Sequence, residues 1–426
     1  KESKKEVAVL FGGVNSERQV SLMSGANVWL KLLKSEKYHP IPYLLDVEGS
    51  IWSLPYSFIL NHTVEEILEN IKSSTSNHQK IQDLEKLVRV KLGLNDDEAC
   101  ENFFLPTKIK FDDFVKKHKF VFLGLHGGDG ENGNMQKILF KHGVKYNGSD
   151  EETSCLCMDK FDTGEFIRNS NIRGITIPQQ KVVSINEMNS LEDFSKFWEK
   201  IKKELNARTI IVKPRGDGCS TGVAHLYTAE DLNKYFSFVK NGVEFIPEKT
   251  IKHQDRIIEM PKEKITDILF EKFIETDITA IVGNKIKYIR KSGFIEVTIG
   301  LLEENGKMHA FNPSVTIAEG EVLSLEEKFQ GGTGVNLTPP PEKIVKPKAI
   351  ALAKALTEKL AEKLGLKGYA RVDAFMNVST GEMIVIEVNT LPALTPSTVF
   401  FHQGLAENPK IFPLQLIEKI IQNAGY

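Results

Sequence analysis

Residues 368–389 constrain this chain more than any other segment, because their pattern is compatible with few structures. Two alternating stretches of β-branched and apolar residues flank a polar stretch centred on Thr380, which predicts a β-hairpin. We call this segment the acidic hairpin. Asp373 and Glu387 lie equally far from Thr380, so a symmetric hairpin would place their carboxylates roughly 5 Å apart on one face, where like charges destabilise a strand pair.

A divalent cation would convert this repulsion into ligation. Arg371 and Asn389 are also equidistant from Thr380 and share the face of the two acids. Carboxylate and amide oxygens suit Mg²⁺, which proteins hold with one or two carboxylates together with substrate phosphates. A solvated strand face with unrelated acids explains the same pattern. Residues 390–398 follow neither helical nor strand periodicity, and predict a loop where a substrate would meet the metal.

Composition argues against several classes of protein. The chain has 426 residues, a formal net charge of −2 and 26% charged residues, without the basic excess typical of proteins that bind nucleic acid or membrane surfaces. This length predicts two or three domains with sizeable cores. No apolar run approaches the roughly 20 residues of a membrane span. The 4 cysteines show no framework spacing and predict reduced thiols.

Two strand–glycine turn–helix units predict an open α/β domain in the N-terminal part. Residues 6–13 are apolar and end in two glycines, and a helix is expected to open near Glu17 and continue past Trp29. Residues 120–131 repeat the strand and glycine turn. In such a domain the site lies outside the carboxyl ends of the strands. Residues 60–118 are charged and helical in pattern, which predicts a crossover connection that carries an insertion and is partly mobile.

Two further segments have the composition of a nucleotide site. Residues 210–226, here called the lysine hairpin, carry Lys213 on the first strand and glycines in the loop, where backbone N–H groups can approach a phosphate. The lysine precedes the glycines, so this is not a Walker loop, and a flexible hairpin tip would look the same. Residues 268–274 predict an apolar strand containing Glu271 and Lys272, which suits an adenine slot or an edge strand.

The remaining elements connect these segments. From about Asp150 a helix is expected to lead through Asp159 and Lys160, whose ammonium would face either a phosphate or solvent. Residues 230–265 resemble a second charged insertion. After a run of prolines, residues 349–364 predict an amphipathic helix that packs beneath the acidic hairpin.

The order of these features is more specific than any one of them. Lys160, the lysine hairpin, the strand with Glu271 and the acidic hairpin follow one another as in the ATP-grasp fold. Within that fold the chain resembles the D-alanine–D-alanine ligases over most of its length. The resemblance rests on residues 10–22, 125–133, 146–149, 158–160, 212–214, 370–373 and 387–392. Residues 60–105, 235–265 and 285–300 have no clear counterpart in the family.

The resemblance implies an α/β chain with the ATP-grasp fold, α+β in its lid and C-terminal parts, behind an N-terminal Rossmann-like preATP-grasp domain. We expect residues 1–149 to form this N-terminal domain, with 60–118 as an insertion. Residues 150–267 would form the central lid domain with the lysine hairpin. Residues 268–426 would form the C-terminal domain with the metal and substrate site.

In this family ATP phosphorylates the carboxylate of one D-alanine, and the amine of a second captures the acyl phosphate. The products are ADP, phosphate and a dipeptide precursor of peptidoglycan. The resemblance implies two Mg²⁺ ions, replaceable by Mn²⁺, on Asp373, Glu387 and Asn389. The implied ATP-binding residues are Lys160, Lys213, Gly218, Ser220, Glu271, Lys272, Phe273, Ile274 and Asp277.

Further residues take catalytic and substrate-binding roles by the resemblance. Arg371 would hold the tetrahedral oxyanion with main-chain N–H groups near Ala393, and Glu17 would pair with the ammonium of the first substrate. A helix-capping Glu17 and a core His126 are alternative interpretations. The implied catalytic residues are Glu17, Arg371, Cys219, Ser220 and Lys328. The implied substrate-binding residues are Glu17, His126, Arg371, Ala393, Ser397 and Thr398.

Four departures from the family pattern affect the loops around the substrates and leave the metal and phosphate groups intact. Cys219 stands where a serine is usual and Phe329 where a tyrosine is usual, so a weak donor and a non-donor replace two hydroxyls. Ala393 replaces a glycine, and Thr398-Val399 replaces a Ser-Leu pair. We expect a loop that closes less firmly, or a different second substrate.

Three hypotheses remain open. The first is a ligase that makes D-alanyl-D-alanine or D-alanyl-D-X, and the second is a nucleotide-binding relative that has lost dipeptide synthesis. The third is another ATP-grasp carboxylate–amine ligase. Retention of the implied metal and phosphate residues favours an enzyme, and Glu17 and His126 disfavour the third hypothesis. We expect a homodimer with ATP and D-alanine as partners, and neither nucleic acid nor membrane. A chain that begins at Lys1 predicts a processed product, located in the cytoplasm, or in an organelle stroma after loss of a targeting segment.

Restoring both hydroxyls with Phe329→Tyr and Cys219→Ser should raise the dipeptide formed per ATP hydrolysed. A loosely closed loop admits water, which hydrolyses the acyl phosphate before the second amine attacks. Each recovered hydrogen bond is worth roughly 0.5–1.5 kcal/mol, about two- to tenfold. Parallel assays of phosphate and dipeptide check this. One-for-one coupling in the parent would show that the loop closes through other contacts.

Overall fold

Three larger sheets and several two-stranded ribbons form the framework of the computed structural model, which describes residues 3–93, 105–216, 221–262, 264–282, 285–317 and 335–426. The strands are β1 (Lys5–Gly12), β2 (Tyr38–Leu45), β3 (Ile51–Ser53), β4 (Thr107–Ile109), β5 (Phe120–Leu123), β6 (Lys145–Tyr146), β7 (Ile175–Thr176), β8 (Gln180–Ser184), β9 (Ile210–Pro214), β10 (Ala224–Leu226), β11 (Phe245–Ile246), β12 (Ile258–Glu259), β13 (Asp267–Lys272), β14 (Ile278–Val282), β15 (Lys285–Ile289), β16 (Phe294–Glu304), β17 (Lys307–Ala310), β18 (Val315–Ile317), β19 (Val335–Leu337), β20 (Tyr369–Asn377) and β21 (Met383–Asn389).

Helices cover these sheets and connect their strands. They are α1 (Arg18–Leu32), α2 (Tyr56–Ile59), α3 (Val64–Leu92), α4 (Phe111–Lys117), α5 (Gly128–Glu131), α6 (Asn134–Lys141), α7 (Glu151–Met158), α8 (Lys160–Asn169), α9 (Ile185–Asn189), α10 (Phe194–Glu204), α11 (Ala229–Asn241), α12 (Pro347–Leu364), α13 (Val399–Leu405) and α14 (Pro413–Asn423). Within the described ranges, no helix is both long enough and apolar enough to cross a membrane.

The N-terminal sheet has the strand order β4-β3-β2-β1-β5-β6. Its central strand β1 pairs in parallel with both β2 and β5, and all four residues of β5 are buried. A Cβ atom on Gly25 of α1 would lie 2.4 Å from the Cβ of Phe11, so the helix backbone packs directly on the strand. The two predicted strand–glycine turn–helix units are therefore confirmed.

The insertion at residues 60–118 is largely helical, as predicted. α3 begins with a capping box formed by Thr63 and Glu66 and ends at Gly93 in the left-handed conformation. Its first turns bury Val64 and Ile67 in the core of the N-terminal sheet, whereas its later turns carry exposed leucines and valines. β4 and α4 then return the chain to the sheet. Residues 94–104 lie outside the described residues.

The central sheet has the order β10-β9-β13-β8 and forms the lysine hairpin from β9 and β10. Apolar side chains of α10 and α11 cover it, including Trp198 and Tyr235. β13 pairs with β9 on one side and β8 on the other, so the strand with Glu271 is internal and the edge-strand alternative is wrong. The predicted boundary between residues 267 and 268 falls within β13, and the domain division stays a prediction.

The C-terminal sheet has the order β17-β16-β20-β21-β7, and β20 and β21 form the acidic hairpin. The predicted helix beneath it is present as α12, which starts with a proline in its first turn and ends at Gly365. Its buried alanines and leucines share one core with the hairpin. This packing holds β20 in the middle of the sheet, where its backbone cannot shift.

The register of the acidic hairpin brings Asp373 opposite Glu387, and a bulge lies between this pair and the turn. On the turn side the next pair is Ala374 with Val385, so Ile386 is an extra residue on β21. In a regular ladder Asp373 would instead face Ile386, and Glu387 would point to the other side of the sheet. The two acids share a face because of this bulge.

Gly381 should tolerate substitution poorly, because two penalties coincide there. It has φ +86°, and a Cβ atom would lie 2.2 Å from the carbonyl oxygen of Ala349 on α12. Gly381→Ala is expected to lower the free energy of unfolding by about 2–4 kcal/mol. Gly242 has φ +60° with no atom within 4 Å of such a Cβ, so Gly242→Ala should cost only about 1 kcal/mol.

Chemical denaturation of both variants measures the difference. Equal losses of stability would mean that α12 can move away from the turn, contrary to the packing described above.

Candidate active site on the acidic hairpin

The acidic hairpin gathers two carboxylates, an amide and a guanidinium on one face. The Oδ2 atom of Asp373 accepts hydrogen bonds from Arg371 Nε at 3.1 Å and Nη2 at 2.9 Å. The Nδ2 atom of Asn389 lies 3.3 Å from the same oxygen and 3.5 Å from Glu387 Oε1. Arg371 Nη2 also lies 3.8 Å from Glu387. The predicted opposition of the two acids is confirmed, and Arg371 lies close to both.

A third strand fixes the orientation of Asp373. Thr298 of β16 lies directly opposite it, and the Thr298 hydroxyl donates to Asp373 Oδ1 over 2.7 Å. Gly300, opposite Arg371, has no side chain and leaves room for Gln403 and Phe400 against the sheet. The sequence analysis missed Thr298, because strand pairing across about 75 positions has no local sequence signal.

The 390–398 loop after the hairpin is bound to α1. Ser24 Oγ accepts the Leu394 N–H over 2.9 Å, and Asn27 Nδ2 donates to the Leu394 carbonyl over 2.8 Å. Within the loop, the Thr398 hydroxyl donates to the Ala393 carbonyl over 2.8 Å. Ala393 and Thr398 are both buried. The N-terminal unit therefore sets the position of a loop that belongs to the C-terminal unit.

His126 makes the central contact between these units. Its Nδ1 lies 3.0 Å from the Leu391 carbonyl, an acceptor, so Nδ1 carries the proton. Its Nε2 then accepts the Ser24 hydroxyl proton over 2.7 Å. Burial, with Arg371 nearby, lowers the His126 pKa to about 4. His126 is therefore a buried neutral residue that positions the loop beside the acidic hairpin, and its assignment to substrate binding stays a prediction.

Glu17 lies at the glycine turn after β5. Its backbone N–H donates to Asn15 Oδ1 over 2.9 Å, and Asn15 Nδ2 donates to the His126 carbonyl over 3.0 Å. A Cβ atom on Gly127 would lie 2.7 Å from Glu17 Oε1, so only glycine leaves room for this carboxylate. Glu17 occupies the N-cap position of α1, but its side chain makes no capping hydrogen bond there. The capping interpretation of Glu17 is wrong.

Glu131 is a site residue that sequence analysis missed. Its Oε2 accepts the Gly127 N–H over 3.1 Å, and the Leu391 N–H lies nearby. Burial raises the Glu131 pKa, whereas these two N–H groups and Arg371 lower it. Glu387 acts on the same carboxylate as a like charge. The sequence signal that could have identified Glu131 is its position as an acidic residue at the end of the glycine turn, a segment that already contained predicted site residues.

The predicted phosphate and base residues form a second cluster on the central sheet. Lys213 Nζ lies 2.8 Å from Glu271 Oε2, and both side chains are buried. Gln180 Nε2 donates to the other Glu271 oxygen over 2.7 Å. A buried lysine is retained only beside a partner charge. Lys213 therefore needs Glu271 whenever no anion lies beside it.

Lys160 is held near this cluster by its neighbour Asp159. The structure has two helices, α7 and α8, where one continuous helix was expected, because Asp159 caps the start of α8. Asp159 also accepts a hydrogen bond from Arg215 Nε over 2.7 Å. The Lys160 N–H donates to the Arg215 carbonyl over 3.4 Å. The start of α8 is thus anchored to the end of β9.

Hydrogen bonds hold the backbone of the segment after Glu271 where it leaves the central sheet. The Lys272 N–H donates to Gln179 and the Phe273 N–H to Thr209, while Phe273 remains 37% exposed. Asp277 accepts hydrogen bonds from the Tyr288 hydroxyl and from the N–H groups of residues 291–293. These bonds give Asp277 a structural role, and its assignment to ATP stays a prediction, like that of Ile274.

Several predicted site residues cannot be placed in this geometry. Gly218, Cys219, Ser220, Lys328 and Phe329 lie outside the described residues. Ser397 is partly buried next to the N-cap of α13. Within the described ranges, no cluster of three or more His, Cys, Asp or Glu side chains forms a metal site. The assignment of Asp373, Glu387 and Asn389 to a metal stays a prediction.

Comparison with known proteins decides the family. Residues 6–149 match the D-ala D-ala ligase N-terminus and residues 263–422 match the D-ala D-ala ligase C-terminus. The chain belongs to the D-alanine–D-alanine ligase family. A D-alanine–D-alanine ligase from Leptospira biflexa is 26% identical over 417 residues, which cover 95% of both chains.

Solved structures agree with this assignment at the level of the fold. The VanG D-Ala:D-Ser ligase from Enterococcus faecalis superposes with a TM-score of 0.64 at 19% identity, over 99% of this chain and 100% of that one. The D-alanine–D-alanine ligase from Bacillus anthracis complexed with ATP gives a TM-score of 0.58 at 20% identity, over 99% and 97%. The chain has the ATP-grasp fold of these ligases, as predicted.

Acid should destabilise this D-alanine–D-alanine ligase family member partly through His126. Its folded pKa of about 4 lies below the unfolded value of about 6.5. The contribution of the neutral ring to the free energy of unfolding is therefore fully present above pH 6.5 and is lost as the pH falls towards 4. His126→Gln should be less stable than the parent at pH 7.5. On acidification its free energy of unfolding should fall less steeply than that of the parent, by up to about 1.4 kcal/mol per pH unit.

Denaturation curves between pH 4 and 7.5 measure both slopes. His118 and His225, whose pKa values burial also lowers to about 4, contribute equally to parent and variant and cancel in the difference. Parallel slopes would show that His126 does not titrate in this interval.

Proposed function

We propose that this protein is an ATP-dependent ligase that joins two D-alanines through a D-alanyl phosphate. The observation that carries the proposal is the acidic hairpin, where Asp373, Glu387 and Asn389 face one another beside Arg371. Membership of the family supplies the reaction class. The alternatives are a D-alanyl-D-X ligase and a nucleotide-binding relative without dipeptide synthesis.

The donor set fits hard divalent cations. Asp373 and Glu387 are opposed carboxylates, partly buried, and the Arg371 guanidinium contacts both. Asn389 presents its amide at the same place, and rotation of that amide would turn its oxygen towards a cation. We propose that these three residues hold two Mg²⁺ ions, for which Mn²⁺ can substitute. Bound there, the ions would neutralise the charge on the transferring phosphoryl group.

Two lysines would bind the phosphates. Lys213 is buried against Glu271 at 2.8 Å, so a phosphate would compete for a lysine that is already oriented. Lys160 opens α8, whose start is tied to the end of β9. The base would bind along residues 272–274, beyond the internal strand β13. The partly exposed Phe273 side chain is available there.

Arg371 would stabilise the acyl-transfer step. Its guanidinium is held by Asp373, so it is oriented before substrate arrives. In the part of the chain that the structure describes, the Ala393 N–H donates to no acceptor. This N–H and Arg371 would bind the oxygen that gains negative charge when an amine attacks the acyl phosphate. Glu17, beside Gly127, would hold the ammonium of the first D-alanine.

The buried contacts around the 390–398 loop would exclude water from the acyl phosphate. His126, Ser24 and Glu131 join the N-terminal glycine turn to this loop. Ser397 and Thr398 would bind the carboxylate of the second substrate at the end of the loop. The Thr398 hydroxyl already donates to the Ala393 carbonyl, so it would have to release this bond before it could donate to a carboxylate. This contact favours a test of second substrates other than D-alanine.

We also propose a homodimer with ATP and D-alanine as its ligands, located in the cytoplasm or in an organelle stroma. Support comes from the family resemblance and from the near-neutral net charge of −2.

Glu387→Gln should lower Mg²⁺-dependent ATP turnover by roughly 10²–10³, because Glu387 is placed to contact both ions and groups of this kind contribute that much. Glu382→Gln is the matched control, since Glu382 is an exposed acid on the turn of the same hairpin. Phosphate release with a panel of D- and L-amino acids measures turnover and second-substrate choice together.

Turnover by Glu387→Gln within threefold of the parent would contradict the two-metal proposal. Tight Mg-ATP binding without any dipeptide, for every amino acid pair, would favour the nucleotide-binding relative instead.

A further inference from the structure

A stack of aromatic rings lies against Phe273 on the central sheet. His225 of β10 stacks on Phe273 with ring centroids 4.0 Å apart and planes at 21°. Tyr227 follows at 4.2 Å from His225, and His253 contacts Tyr227 edge-on at 4.9 Å. His225 belongs to the lysine hairpin, Tyr227 directly follows it and His253 lies in the charged insertion, and none of the three was assigned a role from sequence.

Hydrogen bonds fix the His225 ring within this stack. Its Nε2 lies 2.8 Å from the Thr209 hydroxyl and its Nδ1 lies 2.9 Å from the Tyr227 hydroxyl. Both partners can donate or accept, so a neutral ring is satisfied at both nitrogens in either tautomer. The ring therefore cannot rotate without breaking two hydrogen bonds and a stacking contact.

Thr209 links this network to the backbone of Phe273. The Thr209 carbonyl accepts the Phe273 N–H over 3.3 Å, while its hydroxyl bonds to His225. One residue thus holds the main chain of Phe273 and, through His225, one face of its ring. The ring is still 37% exposed, so part of it remains available to a planar ligand.

We propose that His225, with Thr209 and Tyr227, is a positioning residue for the nucleotide base. It holds the Phe273 ring in the orientation that receives the purine at the end of β13. This inference rests on the proposed use of ATP. Stacking of a base on an aromatic ring is tolerant of sequence but requires the ring to be ordered. A ring that is ordered before binding avoids the entropy cost of immobilisation on binding.

The phosphate groups provide an internal control. Lys213 and Lys160 lie on other elements and make no part of the aromatic stack. Loss of His225 should therefore weaken binding of the base and leave binding of a bare triphosphate unchanged. A general loss of folding would weaken both.

The experiment measures binding of Mg-ATP and of inorganic tripolyphosphate, with KM for ATP and kcat, in the full-length protein. His225→Ala should raise the Kd and KM for ATP about 2- to 10-fold, because one side chain must be ordered on binding. It should leave kcat and tripolyphosphate binding unchanged. His225→Phe keeps the stacked ring and should recover much of the loss. Tyr227→Phe removes one hydroxyl and should give a smaller effect in the same direction.

His309→Ala is the matched control, because His309 lies on β17 of another sheet with its side chain about half exposed. Unchanged ATP binding in His225→Ala would overturn the inference, as would equal losses for ATP and tripolyphosphate. If His225→Ala does not fold, binding of Mg-ATP and of tripolyphosphate by Tyr227→Phe tests the inference instead. A parent that binds tripolyphosphate but not ATP would overturn the proposed use of ATP as well as this inference.

Discussion

Two like charges held on neighbouring strands are the constraint around which this molecule is organised. Asp373 and Glu387 repel each other, and the sheet tolerates them because each nearby polar group compensates part of that charge. Arg371 bridges towards both, Asn389 lies between them, and Thr298 orients Asp373 from the next strand. Each of these contacts is made in the structure without a ligand.

The loop beside these acids depends on a ring that stays uncharged. A protonated His126 could no longer accept the Ser24 proton, and its charge would lie near that of Arg371. Burial prevents protonation at neutral pH, so the loop keeps its contact with α1. The loop after the acidic hairpin is consequently held in place by residues of the N-terminal part of the chain. Glu131 strengthens this dependence through the Leu391 N–H.

Sequence reasoning succeeded where the information is local. Both hairpins, the glycine turns and the helix beneath the acidic hairpin follow from alternation, turn residues and helical periodicity. It failed where a contact joins distant segments. The internal position of β13 depends on pairing with β8 and β9, and Glu131 acquires its importance from Leu391, far along the chain. The break before Lys160 was missed because Asp159 was taken as one more helical residue rather than as a cap.

The bulge at Ile386 also determines which changes of length the hairpin can absorb. β21 carries one residue more than β20 between the acids and the turn. Deleting a residue from this stretch of β21 would give a regular ladder in which the two acids still oppose each other. The same deletion in β20 would double the mismatch, and a regular ladder would then leave the two acids on one face but two positions apart along β21. Deletions in this stretch are therefore not equivalent on the two strands, because only a deletion in β21 keeps the two acids directly opposite each other in a regular ladder.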